Sequence, residues 1–182
     1  MNYKKYIKNP KSINPYSGYS SSIAQKREIM ALTLLNSYCE KNPCSCGPHF
    51  PTLLDYRKNR YITLSNQGID LKSLKNTNYR ISVTNLDHQI KCIYNILENC
   101  GLSHLDLNNN GKNICISRDG TLSLIDFDIM HFRKIDNIHT LTPLMIQRIQ
   151  KFDYCNSYDE FRDKIYRIVT RCKNILISQE SF

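Results

Sequence analysis

Apolar runs long enough to cross a bilayer are missing from this sequence. Stretches such as residues 122–125, broken by Ser123, and 175–177 fall far short of the ~18 residues a membrane helix needs. Glycine and proline are scarce, six of each in 182 residues, which excludes a collagen-like or low-complexity chain. No apolar stretch or small-residue cleavage site follows the basic N-terminus, so a secretory leader is not expected and a soluble, cytoplasmic protein is. Acidic side chains are outnumbered 16 to 25, a net charge of +9. Such a balance suits a polyanionic partner, or simply a lysine-rich soluble surface. Dense basic blocks are absent, and the aromatic residues lack the paired spacing of a base-stacking platform. One small ridge remains, Lys164, Arg167 and Arg171 at i, i+3 and i+7. Neither a membrane nor a specific nucleic acid is therefore expected as partner.

What is present is a core-forming composition, 41% hydrophobic and 23% charged, enough for one domain or two small lobes around a cleft. Eight cysteines accompany it. Several fall at positions that read as buried in helices or strands (Cys92, Cys115, Cys172), so free thiols are expected rather than a disulfide frame.

Residues 3–8 alternate aromatic and β-branched residues with lysine and predict a short strand. The stretch 9–22 reads as a linker, with two prolines, a glycine and a run of serines. A helix should follow, capped by Ser22 and burying Ile29, Leu32 and Leu35, with Met30, Leu34 and Tyr38 broadening the apolar face. Residues 42–51 form a Cys/Pro/Gly turn, and strands are expected over 52–56 and 61–64. The strongest helix is 86–100, whose apolar residues Leu86, Ile90, Ile93, Tyr94 and Leu97 share one face before Gly101 stops it. A hairpin comes next, 113–117 and 121–125, turned by Asp119-Gly120. Thr142-Pro143 reads as a helix opening, and after it residues 158–177 predict an amphipathic helix. The order gives an α+β class with a boundary within 65–70.

One region concentrates polar side chains of chemical interest. Asp106 sits in a loop after the strongest helix, Asn113 opens the hairpin and Asp126 closes it. A hairpin brings its two ends together, so Asn113 and Asp126 should lie side by side with Asp106 tethered nearby. Three hard oxygen donors converging there suit Mg²⁺. If two of them hold the metal, the remaining carboxylate is free to accept a proton from a hydroxyl.

The string His104-x-Asp106, Asn113-Ile114, Asp119-Gly120, Ile125-Asp126-Phe127 resembles the catalytic loop and metal-binding segment of the protein-kinase-like family. The resemblance implies a two-lobed fold, a reduced N-lobe over 1–66 with a small sheet and one helix, and a short, mostly helical C-lobe over 67–182. It also implies phosphoryl transfer from ATP with Mg²⁺ to a hydroxyl of a protein or small molecule, in the manner of a serine/threonine kinase. Asp106 would match the catalytic base, Asn113 and Asp126 the metal-holding residues, and His104 the structural histidine of the loop. Glu28 would match the glutamate that orients a phosphate-binding lysine, for which Lys4 and Lys8 are alternatives. Residues 50–56 and 60–71 would match the two strands running into the hinge, where adenine binds to backbone groups.

Departures from the family pattern are equally visible. Too few residues precede the first strand to supply a glycine-rich loop. Asp106 and Asn113 are seven residues apart, more than the family uses, with Asn108-Asn109-Asn110-Gly111 between them. Leu105 stands where the family has arginine, and Asp128 where it has glycine. Such reduction is equally similar to catalytically inactive, nucleotide- or protein-binding members in large DNA viruses, which would place the protein in an infected host cell.

Two smaller features stay open. Cys39, Cys44, Cys46 and His49 are zinc-type ligands within eleven residues, though Pro43 and Pro48 read equally as a plain turn. Ser17-Gly18-Tyr19-Ser20 would either present backbone amides to phosphate or serve as a flexible connection.

Overall fold

The computed structural model describes residues 5–8, 21–58, 60–136, 145–147, 155 and 157–178. Lys4, the 9–20 stretch and Thr142-Pro143 lie outside them. The chain has the α+β character expected, with small sheets and several α-helices among the described residues.

Strands β1 (Lys5–Lys8), β2 (Leu53–Arg57) and β3 (Tyr61–Ser65) form an antiparallel sheet in the order β1-β3-β2. Between β1 and β2 runs helix α1 (Ser21–Lys41). Ser22 therefore lies inside the helix and is not its cap. Ala24, Ala31, Leu32 and Leu35 are buried along α1, whereas Met30 and Leu34 are exposed. The buried face is narrower than the composition suggests because residues 30 and 34 fall a full turn apart on the opposite side.

β3 passes through residues 66–68 into β4 (Ile69–Asp70) and the single turn α2 (Leu71–Leu74), where Asp70 accepts a hydrogen bond from the Ser73 backbone at 2.8 Å. β5 (Ile81–Thr84) leads to α3 (Leu86–Asn99), which buries Leu86, Ile90, Ile93 and Leu97 on one stripe. Gly101 follows at φ 66°, the left-handed position that glycine takes most cheaply at a helix end. β6 (Leu102–His104) pairs antiparallel with β9 (Met130–Phe132), and the hairpin β7 (Ile114–Ile116)–β8 (Leu122–Leu124) adds to β4.

The late helix α4 (Tyr158–Thr170) opens on Ser157, whose hydroxyl accepts from the Glu160 backbone. It is shorter than its sequence pattern predicts. The chain turns after Thr170, and β10 (Ile175–Ser178) pairs parallel with β5. Asn174 holds the redirected chain: its side-chain amide donates to the Leu74 and Thr77 carbonyls at 2.7 Å, and its backbone carbonyl accepts from Ile81.

Leu35, Ile62 and Leu64 share one buried cluster with Leu71, Ile90, Ile116 and Phe161, so the core runs continuously past residue 66. A small second cluster joins Ala24 of α1 to Leu105, Ile129 and Met145. It anchors α1 against the loops described next. No helix among the described residues is long and apolar enough to cross a membrane.

Candidate functional site

Three loops meet at one edge of this architecture. One follows β6 and carries Asp106, the second precedes β7 and carries Asn113, and the third follows β8 and carries Asp126. Pairing continues past the hairpin strands, with Ile125 N–H donating to the Asn113 carbonyl at 3.0 Å. Asn113 and Asp126 are thereby held on adjacent strand ends, as the turn chemistry predicts.

Asn113 is buried, and its amide Nδ2 donates to the Asp106 carbonyl at 2.8 Å and to Asp106 Oδ2 at 2.9 Å. That leaves Asn113 Oδ1 as the atom able to meet a cation. Lys112 Nζ lies 3.3 Å from the same Asp106 oxygen, and Asn108 Nδ2 reaches Oδ1 at 3.5 Å. Lys112 was not singled out from the sequence, although its place beside Asn113 was the available signal. The longer 107–112 connection delivers it. The turn at Asn108–Gly111 folds back on itself, with Asn110 and Lys112 backbone amides donating to Asn108 and Asn110 side chains.

His104 organises the loop from beneath. Its Nδ1 accepts from the Asp106 backbone at 3.2 Å, so Nε2 carries the proton and donates to the Ile125 carbonyl at 2.9 Å. Burial lowers its affinity for a second proton, against the opposing pull of the Ile125 bond and of the Asp106 and Asp126 charges. A neutral imidazole thus bridges the two loops. Lys164 of α4 acts on the same ring and is half-buried, so it does not share an exposed ridge with Arg167 and Arg171.

Phe127 is fully buried between Phe50 and His104, with ring centroids at 6.1 and 5.3 Å. Seating that ring inward turns the preceding residue outward. Asp126 achieves this at φ 68°, ψ 72°, one of two non-glycine residues with positive φ among those described.

A cleft of about 680 Å³ is lined by Asn113 and Asp126; Asp106, which is buried, is not among its lining residues. Glu28 of α1, Lys112, Asn113 and Asp126 line one side; residues 65–70, Lys72 and Ser73 line the other. Glu28 is almost wholly buried. Lys8 ends β1 opposite Ile62 in the register. The Asp126 carboxylate and the Asn113 amide among the cleft's lining residues carry oxygen donors of the type a hard divalent cation takes.

The cysteine cluster differs in one member from the sequence expectation. Cys44, Cys46 and His49 converge with Cys92 of α3, and Cys39 is not among them. Cys39 belongs to α1, packs against the core, and lies outside the turn that gathers the others. No protein-family model matches the chain, and no curated protein registers as its relative.

Proposed function

We propose that this chain is an ATP-dependent phosphotransferase of the protein-kinase-like type, acting on a hydroxyl of a protein or small molecule. The observation that carries the reading is the 2.9 Å hydrogen bond that ties the buried Asp106 to Asn113, which lines a cleft together with Asp126, Lys112 and Glu28. A carboxylate, an amide oxygen, a cation and a second carboxylate are the side chains that phosphoryl transfer needs in one place.

In this reading Asp106 accepts the proton of the attacking hydroxyl as the new O–P bond forms and the bond to ADP breaks. The bond from Asn113 fixes the rotation of that carboxylate. Asn113 Oδ1 and the Asp126 carboxylate hold Mg²⁺, which supplies neutralisation of phosphate charge when bound. Lys112 places a positive charge 3.3 Å from Asp106 Oδ2. Glu28 orients an N-terminal lysine, Lys4 or Lys8, toward phosphate. Residues 65–70 offer backbone groups to the adenine. The fit of β1, α1, β2 and β3 to a small sheet with one helix supports the same assignment.

The test is transfer from γ-labelled ATP by the purified full chain, with a pool of protein and small-molecule hydroxyl acceptors and with Mg²⁺. Asp106→Asn and Asp126→Ala should each lower turnover by about 10²–10⁴-fold. Equal rates in all three proteins would assign the activity to a contaminant and sink the proposal. Wild type that is stabilised by Mg²⁺-ATP yet turns over nothing would instead make the cleft a nucleotide-binding module.

A further inference from the structure

Outside the cleft, the turn between α1 and β2 gathers a separate set of ligating side chains. Four soft ligand atoms, the sulfurs of Cys44, Cys46 and Cys92 and the imidazole of His49, lie within 4.8 Å of one another. They come from two segments far apart in sequence, the 44–49 turn and the middle of α3.

The individual distances are informative. His49 Nε2 is 3.0 Å from Cys46 Sγ and 3.6 Å from Cys44 Sγ, and the two sulfurs are 2.9 Å apart. A tetrahedral ion with Zn–S of ~2.3 Å and Zn–N of ~2.0 Å sets its ligand atoms roughly 3.5–3.8 Å from one another. One of these distances matches that edge length, two are shorter, and every pair of the four atoms lies within 4.8 Å. All the thiols are free, so no disulfide competes for them.

His49 is already oriented as a ligand. Its Nδ1 bonds the Leu122 carbonyl at 2.7 Å, which places the proton on Nδ1 and leaves the Nε2 lone pair aimed at the sulfurs. Metal-binding histidines are routinely fixed by such a bond from the second ring nitrogen. His88, one turn before Cys92 on α3, reaches Cys92 Sγ at 3.6 Å. Packing alone explains a single buried thiol well; it does not explain three thiols and an oriented imidazole facing one point.

We propose that Cys44, Cys46, His49 and Cys92 bind one zinc ion in a closed, structural site. Three thiolates and an imidazole select zinc over the hard cation of the cleft. Four protein ligands leave no open position, so the ion's role is to cross-link. It fastens the 44–49 turn to α3, and through His49 to β8. The same turn is laid along β8 by Leu124 N–H donating to the His49 carbonyl at 2.9 Å and by Ser123 Oγ donating to the Pro48 carbonyl at 2.9 Å. β8 ends two residues before Asp126, and α3 leads through β6 to Asp106.

The test is metal content of the full chain purified without chelator, followed by cobalt substitution. Wild type should carry about one zinc per chain. Cys92→Ser and Cys44→Ser should lose it, while Cys39→Ser keeps it in full. Should a cysteine variant fail to fold, Co²⁺ added to metal-depleted wild type still decides the matter. Tetrahedral thiolate coordination gives intense visible bands and a thiolate-to-cobalt charge-transfer band. Wild type free of zinc and colourless with Co²⁺, another metal at full occupancy, or zinc that survives Cys92→Ser but not Cys39→Ser would each overturn the assignment. None of these readouts depends on phosphotransferase activity.

Discussion

Asp126 combines a backbone cost with a chemical use. At φ 68° it occupies the left-handed region, which costs a non-glycine residue about 1 kcal/mol or more. Such strain persists where the surroundings enforce it, here through the buried ring of Phe127. Asp126→Gly should therefore retain or raise thermal stability, because glycine adopts that conformation freely. Asp126→Ala, which keeps the strain and loses the carboxylate, should melt below Asp126→Gly by about 2–4 °C, as ~1 kcal/mol does in a chain of this length. Under the phosphotransferase reading both variants lose the stabilisation given by Mg²⁺-ATP. Differential scanning fluorimetry with and without nucleotide checks all of this at once. Equal melting of the two variants would remove the strain argument, and a retained Mg²⁺-ATP shift would remove the metal-holding role.

At the scale of elements, what the sequence reveals depends on how local the cause is. The β7–β8 hairpin was legible because Asp119-Gly120 is a turn signal, and α3 because its apolar spacing is strict. Gly120 also shows what was not legible. Its φ of 84° suits the turn, but a Cβ there would come 2.1 Å from the Ser82 carbonyl oxygen, a contact with β5 that no local pattern announces. Gly101 shares a positive φ of 66°, yet its Cβ would meet only the Lys134 side chain at 3.9 Å. Gly120→Ala should thus cost at least about 2 kcal/mol, clearly more than the ~1 kcal/mol of Gly101→Ala. Urea unfolding of both variants measures the difference, and equal midpoints would deny the role of the β5 contact. Cys92 was hidden for the same reason. Its neighbours at the cluster arrive by tertiary packing, whereas Cys39 is nearer along the chain. Likewise the chain redirected after α4 is held by Asn174 meeting Leu74 and Thr77. Apolar residues at 175 and 177 satisfy a helical or a strand pattern equally well.

For the molecule as a whole, the decisive question is what holds α1 against the loops of the cleft. Arg27 answers it. Its guanidinium grips both Asp136 oxygens, at 3.0 and 2.5 Å, donates to the Met130 carbonyl at 2.5 Å and lies 4.9 Å over the Phe132 ring. Asp136 in turn accepts from the Phe132 backbone at 2.8 Å. The two side chains are only 11% and 2% exposed, so removing one leaves the other charged and buried. Such a loss costs about 3–5 kcal/mol, whereas neutralising both partners costs far less. Arg27→Met should lower the melting temperature by roughly 10 °C. Adding Asp136→Asn to it should restore much of that, since the amide oxygen still accepts from Phe132 while the stranded charge is gone. The double-mutant cycle then yields a coupling that simple packing would not produce. Because Glu28 follows Arg27 directly on α1, the same cycle read as ATP turnover separates two effects. A double variant that is stable again but still slow would mean that the ion pair positions α1 for catalysis. Additive melting shifts across the cycle would mean that Arg27 and Asp136 act independently and leave the seat of α1 to the apolar cluster around Ala24 and Leu105.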